Sequence, residues 1–414
     1  MWQVYCPLLR SSKSWQQNQR KICKLQMKIL FVVNNAYVSG NGLSASCQRT
    51  VRYLREAGED VRILSGACEG AEKPDYVLEG MTVPVFDGLI RKQGYSFAKK
   101  DDEVIEEAVR WADLVHLEEP FDLQIRTCTI AKREHKPVTA TYHLHPENLF
   151  SSIHLGHSLY LNGSTMLVWL ETVFNRCLYV QCPTENVRER LEKWHCRAEL
   201  RVISNGMPPR ERLEDAFVPC PVHKEEGTYL LVSTGRYSVE KDQITLLHAM
   251  RHSHYADRIQ LVLAGRGPHE AALRREAEAL VSEGILKRLP EFLFCSMPEL
   301  EAIYREADLY IHCATVEVEG LSCMEAIETG LVPVIAEGHL TATAQFALSE
   351  ESRYPQRNAQ ALAERIDYWL SDDMRRQQEA RRYVGMGQEY DISRSIEQLR
   401  KMFRDAADRA LHDA

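Results

Sequence analysis

The sequence predicts two α/β domains, each with a parallel sheet, facing one another across a cleft. Three observations predict it. Short continuous apolar runs recur along the chain, the mark of strands buried on both faces. Helical stretches separate these runs, and that alternation builds βαβ units. The alternation then restarts beyond a segment at 207–227 that holds Pro208, Pro209, Pro219 and Pro221. The chain has 414 residues. A usual domain has about 100–200, so there is length for more than one core.

Residues 1–26 are basic, contain no acidic residue and show no period. They lack the apolar core and small-residue cleavage site of a secretory signal. We read them as a disordered or mis-assigned extension, because Met27 opens MKILFVVNN in the manner of a natural start. Lys28–Val33 is then the first strand, and a loop with Gly40, Asn41 and Gly42 follows. Ser44–Arg55 is a helix ending near Gly58. Val61–Ser65, Asp113–Leu117 and Pro137–Tyr142 are further strands of a first domain over 27–206. In a second domain over 207–389 the strands are Tyr229–Thr234, Gln260–Ala264, Asp308–His312 and Val332–Ala336. Its helices are Gln243–Ser253, His269–Glu283, Pro298–Glu306 and Met324–Thr329. Ile396, Leu399, Met402 and Phe403 share one face of a terminal helix.

Composition removes several classes. Hydrophobic residues make up 44% and charged residues 27%, which excludes a disordered, collagenous or coiled-coil chain. The net charge is −8, from 51 basic and 59 acidic residues. A nucleic-acid binder would carry a basic field instead. No apolar run approaches the roughly 18–20 residues of a membrane span. Twelve cysteines are scattered without a CxxC pair. Reduced cytoplasmic thiols fit that pattern better than a disulfide scaffold.

The carboxyl ends of parallel strands in two facing domains are where a ligand is expected, and the motifs gather there. Gly40-Asn41-Gly42 lies between the first strand and its helix. The glycines allow close backbone approach and the helix start favours an anion, although an ordinary tight turn would look the same. Tyr142-His143-Leu144-His145 follows a buried strand, and His143 is either a ligand contact or a satisfied strand-end histidine. No third ligand at metal spacing accompanies it. Gly235-Arg236-Tyr237-Ser238-Val239-Glu240-Lys241 puts two cations at a strand end. Arginine as a fork and lysine as a point charge suit a diphosphate; a solvated loop with an ion pair to Glu240 is the plainer reading. Gly265, in Leu263-Ala264-Gly265-Arg266-Gly267, marks another strand-end turn.

The sharpest signal is Glu317-Val318-Glu319-Gly320-Leu321-Ser322-Cys323-Met324-Glu325-Ala326. The stretch Gly320, Leu321 and Ser322 would offer backbone N–H groups to an anion at a helix start. Carboxylates beside an anion site make sense when each holds ligand hydroxyls. A nucleotide sugar supplies both: hydroxyls for Glu317 and Glu325, phosphates for Arg236, Lys241 and the amides.

This set resembles the family-4 retaining glycosyltransferases of the GT-B fold. An E-x7-E element is matched by Glu317 and Glu325, with EAIETGLVPVIA after it. GRYSVEK, VISNGM at 202–207, TYH at 141–143 and MKILFVVNN are similar as well, so the resemblance runs over about 27–410. A looser likeness to bacterial diacylglycerol glucosyltransferases lies in TYHLHPEN, GLSCMEAIETGLVPVIA and TATAQFAL. Departures exist: the first loop reads Gly-Asn-Gly, Leu321 replaces a phenylalanine, and Ser322 a glycine. Glu319-Gly320 looks like the family's Glu-Gly pair, yet from Glu319 to Glu325 the spacing is two short. Glu317 keeps the spacing and is assigned, with Glu319 as the alternative.

The resemblance implies two Rossmann-like domains, a C-terminal helix over 390–414 returning to the acceptor-side N-terminal domain, and a nucleotide-sugar site in the second domain. It implies sugar transfer from a nucleotide diphosphate, expected to be UDP, to an acceptor hydroxyl with retained configuration. Glu317 and His143 would contact the donor sugar and Glu325 the ribose. Arg236 and Lys241 would neutralise the leaving diphosphate. Gly40, Gly42, Gly235, Gly265, Gly320, Leu321 and Ser322 would line the donor. No cofactor or metal is implied, the donor being a substrate. The acceptor would be a membrane lipid or cell-envelope glycan. Arg91, Lys92, Lys99 and Lys100 stand among Leu89, Ile90, Tyr95 and Phe97, which suits an anionic membrane surface or an ordinary loop. The expected location is the cytoplasm, at the inner face of the membrane. A sugar phosphorylase or a non-catalytic binding protein on the same fold are the alternatives. Release of free UDP only when an acceptor is present separates them from a transferase.

Overall fold

The computed structural model describes residues 26–38, 42–66, 72–84, 87–88, 95–151, 155–156, 158–208 and 218–412. The readings on residues 1–25, Gly40, Asn41, Leu89–Lys92 and Pro209 lie outside the described residues.

The first domain opens with β1 (Lys28–Val32), β2 (Asp60–Gly66) and β3 (Tyr76–Leu78). A short antiparallel pair, β4 (Gly80–Met81) and β5 (Phe97–Ala98), follows. Then come β6 (Leu114–Leu117), β7 (Val138–Thr141), β8 (Tyr179–Cys182) and β9 (Glu199–Val202). Its seven-stranded sheet has the order β3-β2-β1-β6-β7-β8-β9. The second domain contributes β10 (Tyr229–Thr234), β11 (Ile259–Ala264), β12 (Glu291–Leu293), β13 (Leu309–His312), β14 (Pro333–Glu337) and β15 (Arg353–Pro355). Their order is β12-β11-β10-β13-β14-β15. All pairings within both sheets are parallel. The residues of β1, β6 and β10 that read as apolar runs are almost fully buried, as strands covered by helices on both faces must be. In each sheet the chain winds outward in both directions from its first strand. The two switch points, β1 against β6 and β10 against β13, are where a crevice opens.

Several elements escaped the sequence pattern for physical reasons. β12 and β15 have three residues each, too few to show a period. β9 is an edge strand whose burial is only partial, so its polar residues mask it. The helix expected from Met324 starts earlier, at Leu321, because the turn before it is tightened at Gly320. The helix expected to reach Ser253 ends at Ala249.

The helix Ile392–His412 returns across the molecule and packs on the first domain. Ile396, Leu399, Met402, Phe403 and Ala406 join Ile29, Phe31, Val33 and Leu54 in one buried cluster. Phe403 meets His116 at 5.0 Å between ring centroids and Phe31 at 6.3 Å. At the other side of the helix Arg400 donates to Glu59 at 2.7 Å. The crossing is fixed where Ile392 N–H donates to the Met207 carbonyl at 2.8 Å and Met207 N–H donates to Tyr390 at 2.7 Å. Phe403→Ala should therefore weaken the first domain, not the second, by about 3–5 kcal/mol. A thermal melt followed by probes in each domain checks it, and a midpoint equal to wild type would contradict this packing.

Candidate active site

The second domain brings three loops to the carboxyl ends of β10, β11 and β13. The turn after β10 begins at Gly235 and the turn after β11 at Gly265. These backbones touch: a Cβ on Gly265 would lie 2.0 Å from the Gly235 carbonyl oxygen, so only glycine fits there. The β10 turn is pinned from below, since Thr315 N–H donates to the Glu240 carbonyl at 2.7 Å and Gln243 donates to the Arg236 carbonyl at 3.0 Å. It presents two cations. Arg236 donates to Glu240 at 2.6 Å and keeps a third of its side chain exposed. Lys241 reaches across to Glu317 and donates to its carboxylate.

Glu317 lies on the segment between β13 and the next helix. Its N–H donates to the Leu340 carbonyl at 2.7 Å, which fixes the backbone. His312 Nε2 stands 3.5 Å from its carboxylate. Burial pushes the Glu317 carboxyl up, but the Lys241 charge and contacts from His312 outweigh it and hold it at about 2. Glu317 is therefore an anion throughout the working pH range.

The next two residues point elsewhere. Val318 is buried in the hydrophobic cluster of the first domain, and its carbonyl accepts from Thr184 at 3.1 Å. Glu319 is 3% exposed and accepts from Ser204 Oγ, from Asn205 N–H and from Asn205 Nδ2 at 2.6 Å. The Val-Glu-Val-Glu stretch thus places one carboxylate beside Lys241, a valine peg in the partner domain and the second carboxylate on the interdomain crossing.

Gly320 follows with φ +90, and a Cβ there would meet Thr343 Oγ1 at 2.3 Å. Conformation and space both demand glycine. It is the residue before the Leu321–Glu328 helix, whose start no side chain caps. The Ser322 hydroxyl accepts from Tyr310 at 3.0 Å, which orients the first turn. An uncapped helix start beside a lysine attracts an anion. Glu325 lies one turn further, half-buried. Burial raises its carboxyl to about 7, against the charge of Arg49 from the first domain.

The first domain faces this with its own strand ends. His143, after β7, has a side chain 7% exposed and contacts Glu118 through Nε2 at 2.7 Å. Glu118, after β6, is also 3.2 Å from His116. Burial pushes Glu118 up, and His143 and His116 outweigh that and hold it at about 2. Beside it, buried Glu119 accepts from Asn34 N–H at 2.7 Å, from Gln124 at 2.9 Å and from Tyr95. Gly42 is the exposed first residue of the Gly42–Glu56 helix. On that helix Arg49 has its Nε and Nη2 buried without a hydrogen-bond partner. Burial lowers its pKa, against the opposing charges of Glu325 and Glu319.

The structure so brings Lys241 to Glu317 and, on the same turn, Arg236 to Glu240. Leu321 and Ser322 form the helix start next to Glu317, and Gly235 and Gly265 form the floor. His143 is satisfied by Glu118 and sits on the opposing domain. Four residues of the cleft were not singled out from sequence: Arg49, Glu118, Glu119 and His312. The strand DLVHL running straight into Glu118-Glu119, and DLYIH ending in a histidine, carried the signal for three of them. Arg49 gave none, being one arginine on a mixed helix. Of the basic-aromatic segment, Tyr95 and Phe97 turn inward onto Phe121. Lys99 pairs with Glu79 and Lys100 with Asp122.

Residues 40–211 match the glycosyltransferase family 4 family, and residues 221–384 match the glycosyl transferases group 1 family. The chain is 25% identical over 327 residues to an alpha-monoglucosyldiacylglycerol synthase of Streptococcus pneumoniae, covering 76% of this chain and 71% of that protein. It is 25% identical over 402 residues to a phosphatidyl-myo-inositol mannosyltransferase of Mycobacterium leprae, covering 92% and 97%. In fold it is similar to Anabaena HepE, crystallised with UDP and glucose, at a TM-score of 0.67 and 16% identity over 91% of this chain and 99% of that one.

Proposed function

With a family 4 domain followed by a group 1 domain, this chain is a glycosyltransferase of the GT-B fold, and we propose that it moves a sugar from UDP to a hydroxyl of a membrane lipid or cell-envelope glycan with retained configuration. The observation that carries the reading is Lys241 seated on Glu317 beside the uncapped helix start at Gly320. We assign residues 27–206 with 390–414 to the acceptor side and 207–389 to the donor side.

On this reading the diphosphate lies between Arg236, Lys241 and the Leu321–Ser322 amides. Charge grows on the leaving diphosphate as the glycosidic bond breaks, so these groups bind the transition state more tightly than the ground state. Glu317, always ionised, accepts hydroxyls of the transferred sugar. Glu325 accepts hydroxyls of the ribose. His143, its Nε2 on Glu118, contacts the sugar from the other domain, and Gly42, first residue of the Gly42–Glu56 helix, approaches the donor or acceptor. UDP is already a good leaving group, so no protein acid is required. A donor phosphate oxygen takes the acceptor proton on the face that the leaving group vacates. The two carboxylates of a hydrolase would do different work. No metal or cofactor enters this scheme.

The lipid acceptor is supported by the helix Leu159–Thr172. Leu159 is 89% exposed and Tyr160 82%, with Leu167 and Val168 at 54% each, an apolar patch of the kind that meets other surfaces. The pneumococcal relative is named for a glucosylated diacylglycerol. No helix among the described residues is long and apolar enough to cross a membrane, so we propose peripheral contact with an anionic inner membrane face. Vesicle flotation reads this directly, and absence of binding to anionic liposomes would remove it.

The main test mixes UDP- and GDP-sugars with lipid and soluble acceptors and follows the free nucleoside diphosphate, UDP or GDP. Acceptor-dependent UDP release and a retained anomeric centre in the product are expected. An inverted product, or no release with any acceptor, would overturn the reading. A pH dependence follows from Glu325. Only the ionised carboxylate accepts both ribose hydroxyls, and its pKa is raised to about 7. UDP affinity should therefore rise with pH through about 7, and Glu325→Gln should bind UDP weakly with a flat profile. Titration calorimetry between pH 5.5 and 8.5, about 1.5 units either side of that value, reads both.

A further inference from the structure

A chain of hydrogen bonds with one possible direction runs beneath the strand ends of the first domain and finishes at His143. It starts at the Ile203 carbonyl, which can only accept. Gln181 Nε2 donates to it at 2.9 Å. The Gln181 oxygen therefore faces the other way and accepts from Thr141 Oγ1 at 2.8 Å. That bond uses the one proton of the Thr141 hydroxyl, which can then only accept from His116 Nε2, 2.9 Å away. His116 Nε2 thus carries a proton, and Glu118 Oε1 lies 3.2 Å from it. His116 Nδ1 stands 2.8 Å from Thr139 Oγ1. Phe31 and Phe403 pack on the buried ring at 4.8 and 5.0 Å between centroids, which holds it in place.

Glu118 meets this fixed donor with one oxygen and His143 with the other. Its N–H donates to the Val32 carbonyl at 3.1 Å, and its Oε2 lies 2.7 Å from His143 Nε2. An ionised carboxylate only accepts, so a His143 proton sits on Nε2. Nδ1 is the remaining polar atom of that ring, and it takes no partner among the described residues. We propose that Glu118 is a positioning residue for sugar transfer: anchored by His116, it keeps the His143 proton on Nε2 and leaves Nδ1 to accept from a hydroxyl of the transferred sugar. The proposal rests on the transferase reading, in which His143 meets that sugar. Glu118 acts only through the imidazole, as a carboxylate does when it selects a histidine tautomer.

The fixed donor also decides what an amide would do in the same place. The side chain of Glu118→Gln has one accepting end and one donating end. His116 Nε2–H requires the oxygen. The NH2 group then faces His143 Nε2 and donates to it, which moves the ring proton to Nδ1. The nitrogen offered to the sugar changes from acceptor to donor.

Nitrogen NMR on the full chain, labelled at histidine and assigned with His143→Ala, reads the tautomer. At about pH 8.5, roughly two units above the ordinary imidazole value, His143 should carry its proton on Nε2 in wild type and on Nδ1 in Glu118→Gln. Sugar transfer should fall roughly 10–100-fold in Glu118→Gln, by analogy with carboxylates that orient metal-bound histidines. In a His143→Ala background the same substitution should cost no further rate, whereas a carboxylate that only supports the fold would cost the same in both backgrounds. A wild-type ring protonated on Nδ1 alone, an unmoved tautomer in folded Glu118→Gln, or an equal loss in both backgrounds would overturn the proposal. The wild-type tautomer is measured without any variant of Glu118, so it decides the matter even if Glu118→Gln does not fold. Full activity of Glu118→Gln beside an active wild type removes the positioning role and leaves the transferase reading standing. A wild type that releases no nucleotide with any acceptor removes the transferase reading, and with it the sugar contact of Nδ1.

Discussion

Lys241→Ala is expected to lower sugar transfer by roughly 30- to several-thousand-fold while leaving the fold intact. Truncating one partner of a buried, hydrogen-bonded charge pair costs about 2–5 kcal/mol, and each 1.36 kcal/mol is about a decade in rate. Here the lysine has two tasks. It meets the departing diphosphate, and it holds Glu317 ionised in a half-buried place. Without it burial raises the Glu317 carboxyl, so the variant should also acquire an acid limb in its pH–rate profile that wild type lacks. Sign matters: the lowered pKa keeps wild-type Glu317 charged well below neutrality, and losing the lysine moves protonation upward toward the assay range. Initial rates of acceptor-dependent UDP release across pH measure both effects. Wild-type turnover in Lys241→Ala, with every nucleotide sugar tried, would remove the phosphate clamp.

The second large contrast is between neighbouring carboxylates. Glu317→Gln is expected to lose transfer by a similar factor and keep its melting midpoint. Glu319→Gln is expected to do the reverse. Its carboxylate takes hydrogen bonds from Ser204 and Asn205 at the crossing between domains, and bonds to a charged group are worth about 1.5–3 kcal/mol each. For domains of 150–250 residues each kcal/mol moves the midpoint by about 2–4 °C, so a drop of several degrees follows. If instead Glu317→Gln turned over normally and Glu319→Gln did not, Glu319 would be the sugar contact. The two variants differ by two positions in sequence, which makes the comparison sharp.

Much of this candidate site was legible before any coordinates. Lys28–Val33 and Tyr229–Thr234 read as strands because each holds a short continuous apolar run, Ile29–Val33 and Tyr229–Val232, the mark of a strand buried on both faces. Gly320 read as a helix-start glycine because a strand ended before it and a helix followed. Lys241 and Arg236 stood out because two cations at the carboxyl end of a strand suit a diphosphate, while the plainer reading, an ion pair to Glu240, is met by Arg236. The short edge strands β12 and β15 were not legible, since three residues carry no period. The pairing of His143 with Glu118 was not legible either. Sequence left His143 between a ligand contact and a satisfied strand end, and its partner lies on a different strand.

The division has one physical cause. Hydrophobic burial and backbone conformation act over a few neighbours, so the amino-acid order alone determined the α/β alternation, the two domains and the glycine turns. Which carboxylate faces the cleft was decided only by tertiary structure. Val318 needs the apolar cluster of the other domain, and Glu319 needs Asn205, 114 positions away; burying those two leaves Glu317 to Lys241. Such choices are set by which surfaces meet when the halves close, and no local pattern encodes them.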